Sequence, residues 1–184
     1  MAERAFLQPL DPVRREFEQR VLVHLDAAYR FALQLSRSPQ DAEDIVQDAM
    51  LRAFRAFEPS RVDTALPWLL TIVRNCFLTQ RGRRPAGRED ELPIEDTADA
   101  LQDPRPNPES AAHAASEQLA LNLALARLSD EHREVLALRE IEELAYQEIA
   151  EVIDVKIGTV MSRLARAREA LREQWFELFG KVPA

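Results

Sequence analysis

Apolar residues between positions 146 and 171 recur at helical spacing on either side of one short break. Ile149, Ala150 and Ile153 would form the inner face of a first helix, and residues 154–158 interrupt the pattern. The second helix carries its apolar residues at steps of four, three and four: Val160, Leu164, Ala167 and Leu171. The small side chain of Ala150 would let the two helices cross closely. This pattern predicts a helix-turn-helix.

Three more helices are predicted in the first half of the chain. Asp11-Pro12 is typical of a cap and a first-turn proline, and it opens a helix predicted to continue to about residue 35. The inward-facing residues of this helix would be Phe17, Val21, Leu25, Ala28, Ala32 and Leu35. Ser38 would cap a second helix. Its inward-facing residues would be Ala42, Val46, Ala49, Ala53 and Phe57. After a loop at 58–63, the third helix would turn Leu66, Leu69, Val73 and Phe77 inward. No segment alternates with a period of two for long enough to predict a strand, so the predicted fold class is all-α.

The negative charge of the chain is concentrated in one segment. The net charge is −8 at pH 7, which is unusual for a protein that binds nucleic acid. Residues 85–116 hold eight acidic residues against two arginines, and five of the eleven prolines. Their apolar positions follow no regular period, as is typical of a flexible linker. The predicted organisation is a small helical domain at 1–84, an acidic linker at 85–116 and a helix-turn-helix domain at 117–184.

The outer face of the second helix of the helix-turn-helix is polar and basic. Thr159, Ser162, Arg163 and Arg166 lie within roughly a quarter-turn of each other, nearly opposite the apolar row. Hydroxyl and guanidinium groups of this kind suit the major groove of DNA. The alternative is a helical hairpin whose basic face is only solvated.

The second helix of the first half has an acidic outer face. Asp41, Asp44 and Asp48 lie within about 60° of one another, and far from the apolar face. Like charges at i and i+4 cost a few tenths of a kcal/mol in an isolated helix. This face could dock a basic partner. Alternatively, the acidic residues of the first turn, including Glu43, complement the helix dipole and Asp48 pairs with Arg52. The sequence leaves both interpretations open.

The third helix ends in a basic cluster. The polar residues concerned are Arg74, Asn75, Arg81, Arg83 and Arg84. Grouped cations beside polar and aromatic side chains suit a nucleic-acid backbone with exposed bases. Alternatively, the cations complement the helix C-terminus and Trp68 is a core aromatic, although four arginines exceed what a dipole needs.

Several classes of protein are disfavoured by the sequence. No apolar run approaches the roughly 20 residues that span a bilayer, and the first residues lack the apolar block of a signal peptide. The lone Cys76 lies among apolar helix positions, so we expect a small core residue in a reducing cytoplasm. The three histidines, His24, His113 and His132, are scattered, and no phosphate loop, metal-spaced set or nucleophile motif accompanies them. We therefore expect neither an enzyme nor a cofactor.

These features together resemble the extracytoplasmic-function (ECF) sigma factors of bacterial RNA polymerase, in the sigma-70 family. The matching motifs of the first half are residues 41–48 (DAEDIVQD), 51–53 (LRA), 67–69 (PWL) and 74–75 (RN). Those of the second half are residues 146–150 (YQEIA), 158–160 (GTV), 162–164 (SRL) and 166–168 (RAR). The resemblance implies a σ2-like and a σ4-like domain that join core polymerase and direct it to promoters.

The resemblance also implies a role for each group of residues. Asp41, Asp44, Gln47 and Asp48 would dock on the polymerase clamp helices. The −10 element would be bound and opened by Ser60, Arg61, Trp68, Arg74, Asn75, Arg81, Arg83 and Arg84. The −35 element would be read by Lys156, Thr159, Ser162, Arg163 and Arg166, while the apolar flank of that domain packs on the polymerase flap. An anti-sigma factor is a further expected partner, and no membrane insertion is expected.

The chain departs from the family pattern at a few positions. Ala145 stands in place of a serine cap, and Asp154 in place of a glycine at the turn. Thr79 stands where an acidic residue usually follows the Arg-Asn pair. Lys156 and Met161 also differ, so the preferred −35 sequence is expected to differ from that of relatives. The alternative function is a dimeric helix-turn-helix regulator that binds a palindrome without being a polymerase subunit. The acidic helix and the basic cluster have no role in that alternative.

Overall fold

Helices are the regular elements of the residues that the computed structural model describes, which are 12–60, 62, 64–83 and 120–180. In the first half, the helices are α1 (Pro12–Arg20), a short 3-10 turn (Leu22–His24), α2 (Leu25–Ser36), α3 (Pro39–Ala56) and α4 (Ala65–Arg83). In the second half they are α5 (residues 120–126), α6 (Asp130–Leu136), a π-helical turn (Ala137–Ile141), α7 (Tyr146–Ile153) and α8 (Ile157–Phe179). The predicted all-α fold is confirmed. Asp11, Arg61, Arg84, His113 and the predicted linker lie outside the described residues.

Helix α3 forms where the sequence predicts it. The Ser38 hydroxyl accepts a hydrogen bond from the backbone N–H of Asp41 at 3.3 Å, and Pro39 occupies the first turn. The serine satisfies one of the free N–H groups that begin a helix, and the proline has no N–H group to leave unpaired. All five predicted inward residues of α3 and its end are buried: Ala42, Val46, Ala49, Ala53 and Phe57.

The first predicted helix is wrong in one respect, because it consists of two helices. The backbone tightens into the 3-10 turn at Leu22–His24, and α2 then begins. The predicted inward residues stay buried on either side of this turn, but Leu25 is exposed. The tighter turn changes the angular step between residues, so Leu25 no longer follows Val21 on the same face. Phe17 of α1 packs edge-on against Phe54 and Phe57.

Helix α4 packs against both α2 and α3, which also pack against each other. Leu69 and Val73 are fully buried as predicted, whereas Leu66 and Phe77 are partly buried against the core. Leu70 and Cys76 are also buried, which widens the apolar face beyond the predicted stripe. The expectation that Cys76 is a core residue is confirmed.

The two halves of the described chain share one continuous apolar core. Helix α4 packs against α7, and α2 packs against α6 and the π-helical turn. The π-helical turn closes with a hydrogen bond from the N–H of Glu142 to the carbonyl of Ala137 at 3.0 Å. It places Glu142 against Arg30 of α2, with their side-chain atoms 2.8 Å apart.

Candidate nucleic-acid interface

The predicted helix-turn-helix consists of α7, a three-residue turn and α8. Asp154 adopts the left-handed conformation, with φ 53° and ψ 57°, and the N–H of Val155 donates to the carbonyl of Ala150 at 3.0 Å. Aspartate tolerates this conformation better than most residues other than glycine. Ala150 is nearly fully buried, as are Val160 and Leu164 of α8. The turn therefore holds the two helices in close contact through a small side chain, as predicted.

The start of α7 is capped from one side only. The backbone N–H of Ala145 donates to the Glu148 carboxylate at 2.8 Å. The alanine side chain has no atom that can accept a bond from the helix in return. Glu148 thus compensates for part of the missing serine cap, and its charge also suits the positive end of the helix dipole.

The outer face of α8 presents the residues predicted to read DNA. Lys156 and Arg166 are exposed, while Thr159, Ser162 and Arg163 are partly buried. The Ser162 hydroxyl donates to the carbonyl of Thr159 at 3.0 Å. The Arg163 guanidinium lies 3.5 Å from the carboxylate of Glu131 in α6. The structure thus brings the five predicted residues to the first three turns of one helix.

The residues predicted to bind the −10 element differ in accessibility. Ser60, Asn75, Arg81 and Arg83 are exposed, whereas Trp68 is partly buried beside Phe57, with ring centroids 6.3 Å apart. Arg74 turns inward, and its side chain is 20% exposed. Arg61 and Arg84 belong to the residues that the structure does not describe. Trp68 therefore packs as the core interpretation expects, and the exposed polar residues follow the outer side of α4 and the loop before it.

Acidic residues of α6 contact two arginines of α4. The Arg74 Nε donates to the Glu134 carboxylate at 2.7 Å, and Arg81 donates to Asp130. Burial raises the pKa of the Glu134 carboxyl above its ordinary value, and the Arg74 guanidinium partly offsets that effect. Burial also acts to raise the pKa of Asp130, but hydrogen bonds from Arg133 and Arg81 outweigh it and lower that pKa. These contacts were not predicted, because nothing local in the sequence marks them.

The acidic face of α3 is accessible. Asp44, Gln47 and Asp48 are exposed and Asp41 is partly buried. Asp48 also forms two contacts with Arg52, at 2.8 and 3.1 Å. This pair is the one expected if the acidic residues serve only to stabilise the helix. An exposed pair of this kind contributes little stability, so it leaves the surface free to exchange partners.

An apolar extension of the acidic face was missed from the sequence. Leu51 and Phe54 continue the row of Gln47 along α3, and about half of each side chain is exposed. Large apolar residues exposed together beside charged ones are typical of protein–protein contacts. Leu51 and Phe54 follow Gln47 at i+4 and i+7, a spacing that the sequence shows. The spacing did not identify an exposed surface, because Phe54 could equally have packed beside the core.

Cys76 lies beneath the acidic face. It lines a shallow cavity of about 200 Å³ together with Asp44, Asp48, Arg52 and Arg83. Burial, together with the nearby Asp48 carboxylate, raises the pKa of its thiol to about 11. The thiol is therefore protonated at neutral pH, and this site offers no reactive thiolate.

The described part of the chain lacks two features, a helix suited to span a membrane and a cluster of side chains suited to bind a metal. None of its helices combines the length and hydrophobicity needed to cross a membrane. Within the same residues, no three histidine, cysteine or acidic side chains are grouped in a way that could hold a metal ion.

Comparison with known proteins identifies both halves. Residues 21–85 match Sigma-70 region 2, and residues 118–171 match Sigma-70, region 4. The chain is 37% identical over 157 residues to the ECF RNA polymerase sigma factor SigE of Mycolicibacterium smegmatis, with 85% of this chain and 60% of that protein covered. It is 33% identical over 167 residues to the RNA polymerase sigma-H factor of Pseudomonas aeruginosa, covering 86% of this chain and 85% of that one.

A solved structure supports the same relationship. The sigma factor RpoE of Bartonella quintana, in complex with the anti-sigma factor NepR, matches with a TM-score of 0.62 and 32% identity. That match covers 87% of this chain and 96% of the other. Region 2 contains α2, α3 and α4 with the acidic and basic surfaces, and region 4 contains the helix-turn-helix. The chain belongs to the ECF sigma factors of the sigma-70 family.

Proposed function

We propose that this chain is an alternative sigma subunit, which binds core RNA polymerase and directs it to specific promoters. The observation that carries the proposal is the presence of both regions in one chain, each carrying residues of its expected polar surface. Region 2 presents an acidic face on α3 and basic residues on α4, and region 4 presents a basic recognition face on α8. The chain would act in the cytoplasm without catalysing a reaction of its own.

The polymerase contact is assigned to α3. Asp44 and Asp48 offer carboxylates to cations of the clamp helices, and Gln47 and the partly buried Asp41 flank them. Leu51 and Phe54 would add apolar area at one end of the same face. Buried apolar contacts supply affinity while complementary charges steer the encounter. The apolar flank of region 4 would pack on the flap.

Promoter recognition is assigned to two surfaces. The outer residues of α8 would read the −35 element in the major groove, since helix-turn-helix proteins place the second helix there. The basic side of α4, with Asn75 and Trp68, would bind and open the −10 element. The acidic linker at 85–116 would connect the two domains. The first domain would end at residue 84, and the second would begin at residue 117.

An anti-sigma factor is proposed as the regulatory partner. The support is the solved relative, which was captured with an anti-sigma factor and resembles this chain over most of its length. Such a partner would compete with polymerase for the exposed face of α3 or hold the two domains together.

Reconstitution tests the function. Purified core polymerase is mixed with this chain and fragmented genomic DNA, and the 5′ ends of the transcripts are sequenced. We expect discrete start sites that share two upstream elements and are missing with core polymerase alone. Start sites identical to those of core polymerase alone would contradict a sigma function, and binding to a palindrome without polymerase would favour the dimeric regulator.

A further inference from the structure

One short helix contacts arginines of both proposed DNA-binding surfaces. Helix α6 follows its cap, Ser129, and carries three acidic residues, Asp130, Glu131 and Glu134, of which Glu134 is buried. Asp130 accepts from Arg81, Glu134 accepts from Arg74, and Glu131 lies 3.5 Å from Arg163. Arg74 and Arg81 belong to the −10 surface, and Arg163 belongs to the −35 surface.

The contact with α4 is the tighter of the two. Glu134 is 8% exposed, so its carboxylate and the Arg74 guanidinium have both lost most of their water. By contrast, Glu131 is 67% exposed, so its pair with Arg163 is solvated and weak. Helix α6 therefore competes mainly for the −10 surface and only slightly for the −35 surface.

A second set of contacts fixes α6 to α2. Arg133 donates to the carbonyl of Gln34 at 2.6 Å, and Arg37 reaches Asp130 at 3.3 Å. After the π-helical turn, Glu142 accepts two hydrogen bonds from Arg30, and the Glu142 side chain is only 2% exposed. Neither Arg30 nor Glu142 is among the residues proposed to bind DNA, so this pair can be changed without altering any of those residues.

A carboxylate and a phosphate are alternative partners for the same guanidinium. Arg74 is paired with Glu134 inside the contact between α4 and α6, so a phosphate can reach it only when the two helices separate. A buried ion pair has little net stability, because desolvation offsets most of the attraction between its charges. The Arg74–Glu134 contact can therefore be replaced by a contact between Arg74 and a phosphate without a large loss of free energy.

Resting on the proposed function, we infer that α6 is an internal competitor for promoter DNA. In the free chain its carboxylates occupy the −10 arginines, and the Arg30–Glu142 pair holds the domains in this closed arrangement. DNA binding requires the domains to separate, which core polymerase would promote by binding each of them at its own site.

A charge-swap cycle on the Arg30–Glu142 pair tests this inference. The probe is a fluorescein-labelled DNA duplex of mixed sequence with a single-stranded extension, because phosphate contacts need no promoter sequence. Its affinity for the full chain is measured without polymerase at low ionic strength. Arg30→Glu and Glu142→Arg each place like charges together, so both should bind DNA at least about 5-fold more tightly, the low end of coupling between sites. The double variant should return to the wild-type affinity.

The cycle separates opening from a general charge effect. Arg30→Glu makes the chain more negative and Glu142→Arg makes it less negative, so an affinity that follows net charge would change in opposite directions. That result would overturn the inference. So would single variants whose radius of gyration increases in small-angle X-ray scattering while the affinity for DNA stays at the wild-type value.

A milder variant decides the question if the single charge changes prevent folding. Asp130→Asn/Glu134→Gln keeps the shape of both side chains and removes their charges. The matched control, Glu173→Gln/Glu177→Gln, removes the same charge from exposed positions of α8. Tighter binding by the first double variant than by the control supports the inference, and equal binding contradicts it. Reconstituted initiation is scored separately, so loss of sigma activity is not confused with failure of the competition.

Discussion

The Glu148 carboxylate accepts a hydrogen bond from the backbone N–H of Ala145 at 2.8 Å, which completes half of a reciprocal cap at the start of α7. Ala145 already has the extended backbone of a cap residue, with φ −67° and ψ 154°. A serine there could accept a bond from the N–H of Glu148 without a change in the backbone. The incomplete cap therefore marks a position where the helix-turn-helix can be stabilised.

We expect Ala145→Ser to raise the free energy of unfolding by about 1 kcal/mol, the usual difference between serine and alanine at a helix cap. Urea denaturation followed by circular dichroism measures it. The control is Ala165→Ser, the same substitution at an exposed interior position of α8, where serine costs up to about 0.5 kcal/mol through helix propensity. No difference between the two variants would contradict the capping explanation.

A second prediction concerns docking on polymerase. Asp44→Lys/Asp48→Lys should abolish binding to core polymerase, because it reverses two charges on the exposed face of α3. Exposed substitutions change stability by less than about 0.5 kcal/mol, so the helical circular dichroism should stay near the wild-type spectrum. Pull-down by core polymerase measures the loss. Asp26→Lys/Glu151→Lys makes the same change of charge at other exposed positions and should bind normally.

A third prediction concerns reading of the −35 element. Arg163→Ala should reduce discrimination at one base pair by about 1–3 kcal/mol if the guanidinium contacts a base, or weaken all sequences equally if it contacts phosphate. Selection of the holoenzyme against a randomised −35 library separates these results. Arg172→Ala, further along α8 and paired with Glu169, is the control. An Arg163→Ala profile equal to that of the control would remove Arg163 from the recognition surface.

A fourth prediction concerns pH. The pKa of Asp130 is lower in the folded chain than its ordinary value of 3.8, so its ionised form stabilises the fold above that value. This contribution is lost as the pH falls through the lower folded-state pKa. Asp130→Asn should therefore lower the free energy of unfolding by about 1 kcal/mol at pH 7, a small value because the side chain is partly solvated.

The difference between wild type and Asp130→Asn should shrink as the pH falls below about 3.8. Urea denaturation of both proteins from pH 7 to strongly acidic pH measures it. Asp26→Asn, at an exposed position of α2, corrects for the general loss of one negative charge. A difference that stays constant with pH would show that Asp130 acts through its shape rather than its charge.

Local patterns predicted most of the helices and the residues that face the core. Ala42, Val46 and Ala49 are buried because a helix repeats its faces regularly, and Ser38 caps α3 through a contact only three residues long. The same reasoning failed at Leu22–His24, because apolar positions on both sides still fitted one continuous helix. A short 3-10 turn does not change the spacing of the apolar residues enough to be detected from the sequence.

The polar sites were predicted less completely than the helices. The sequence predicted which residues share one face of a single helix, as on α8 and on the outer side of α3. The contacts of Arg74 and Arg30 were not, because their partners Glu134 and Glu142 lie 60 and 112 positions away in the chain. No local spacing encodes such a pair, and the two domains must first pack before either arginine meets its carboxylate.

The π-helical turn at Ala137–Ile141 holds one residue more than an α-helical turn of the same length would need. Deleting a single residue there would convert it to regular helix and rotate everything that follows by about 100° around the helix axis. Glu142 would then leave Arg30, and α7 would no longer face α4. The orientation of the proposed −35 recognition helix relative to the first half of the chain is therefore set by one surplus residue in a turn that carries none of the residues proposed to bind DNA.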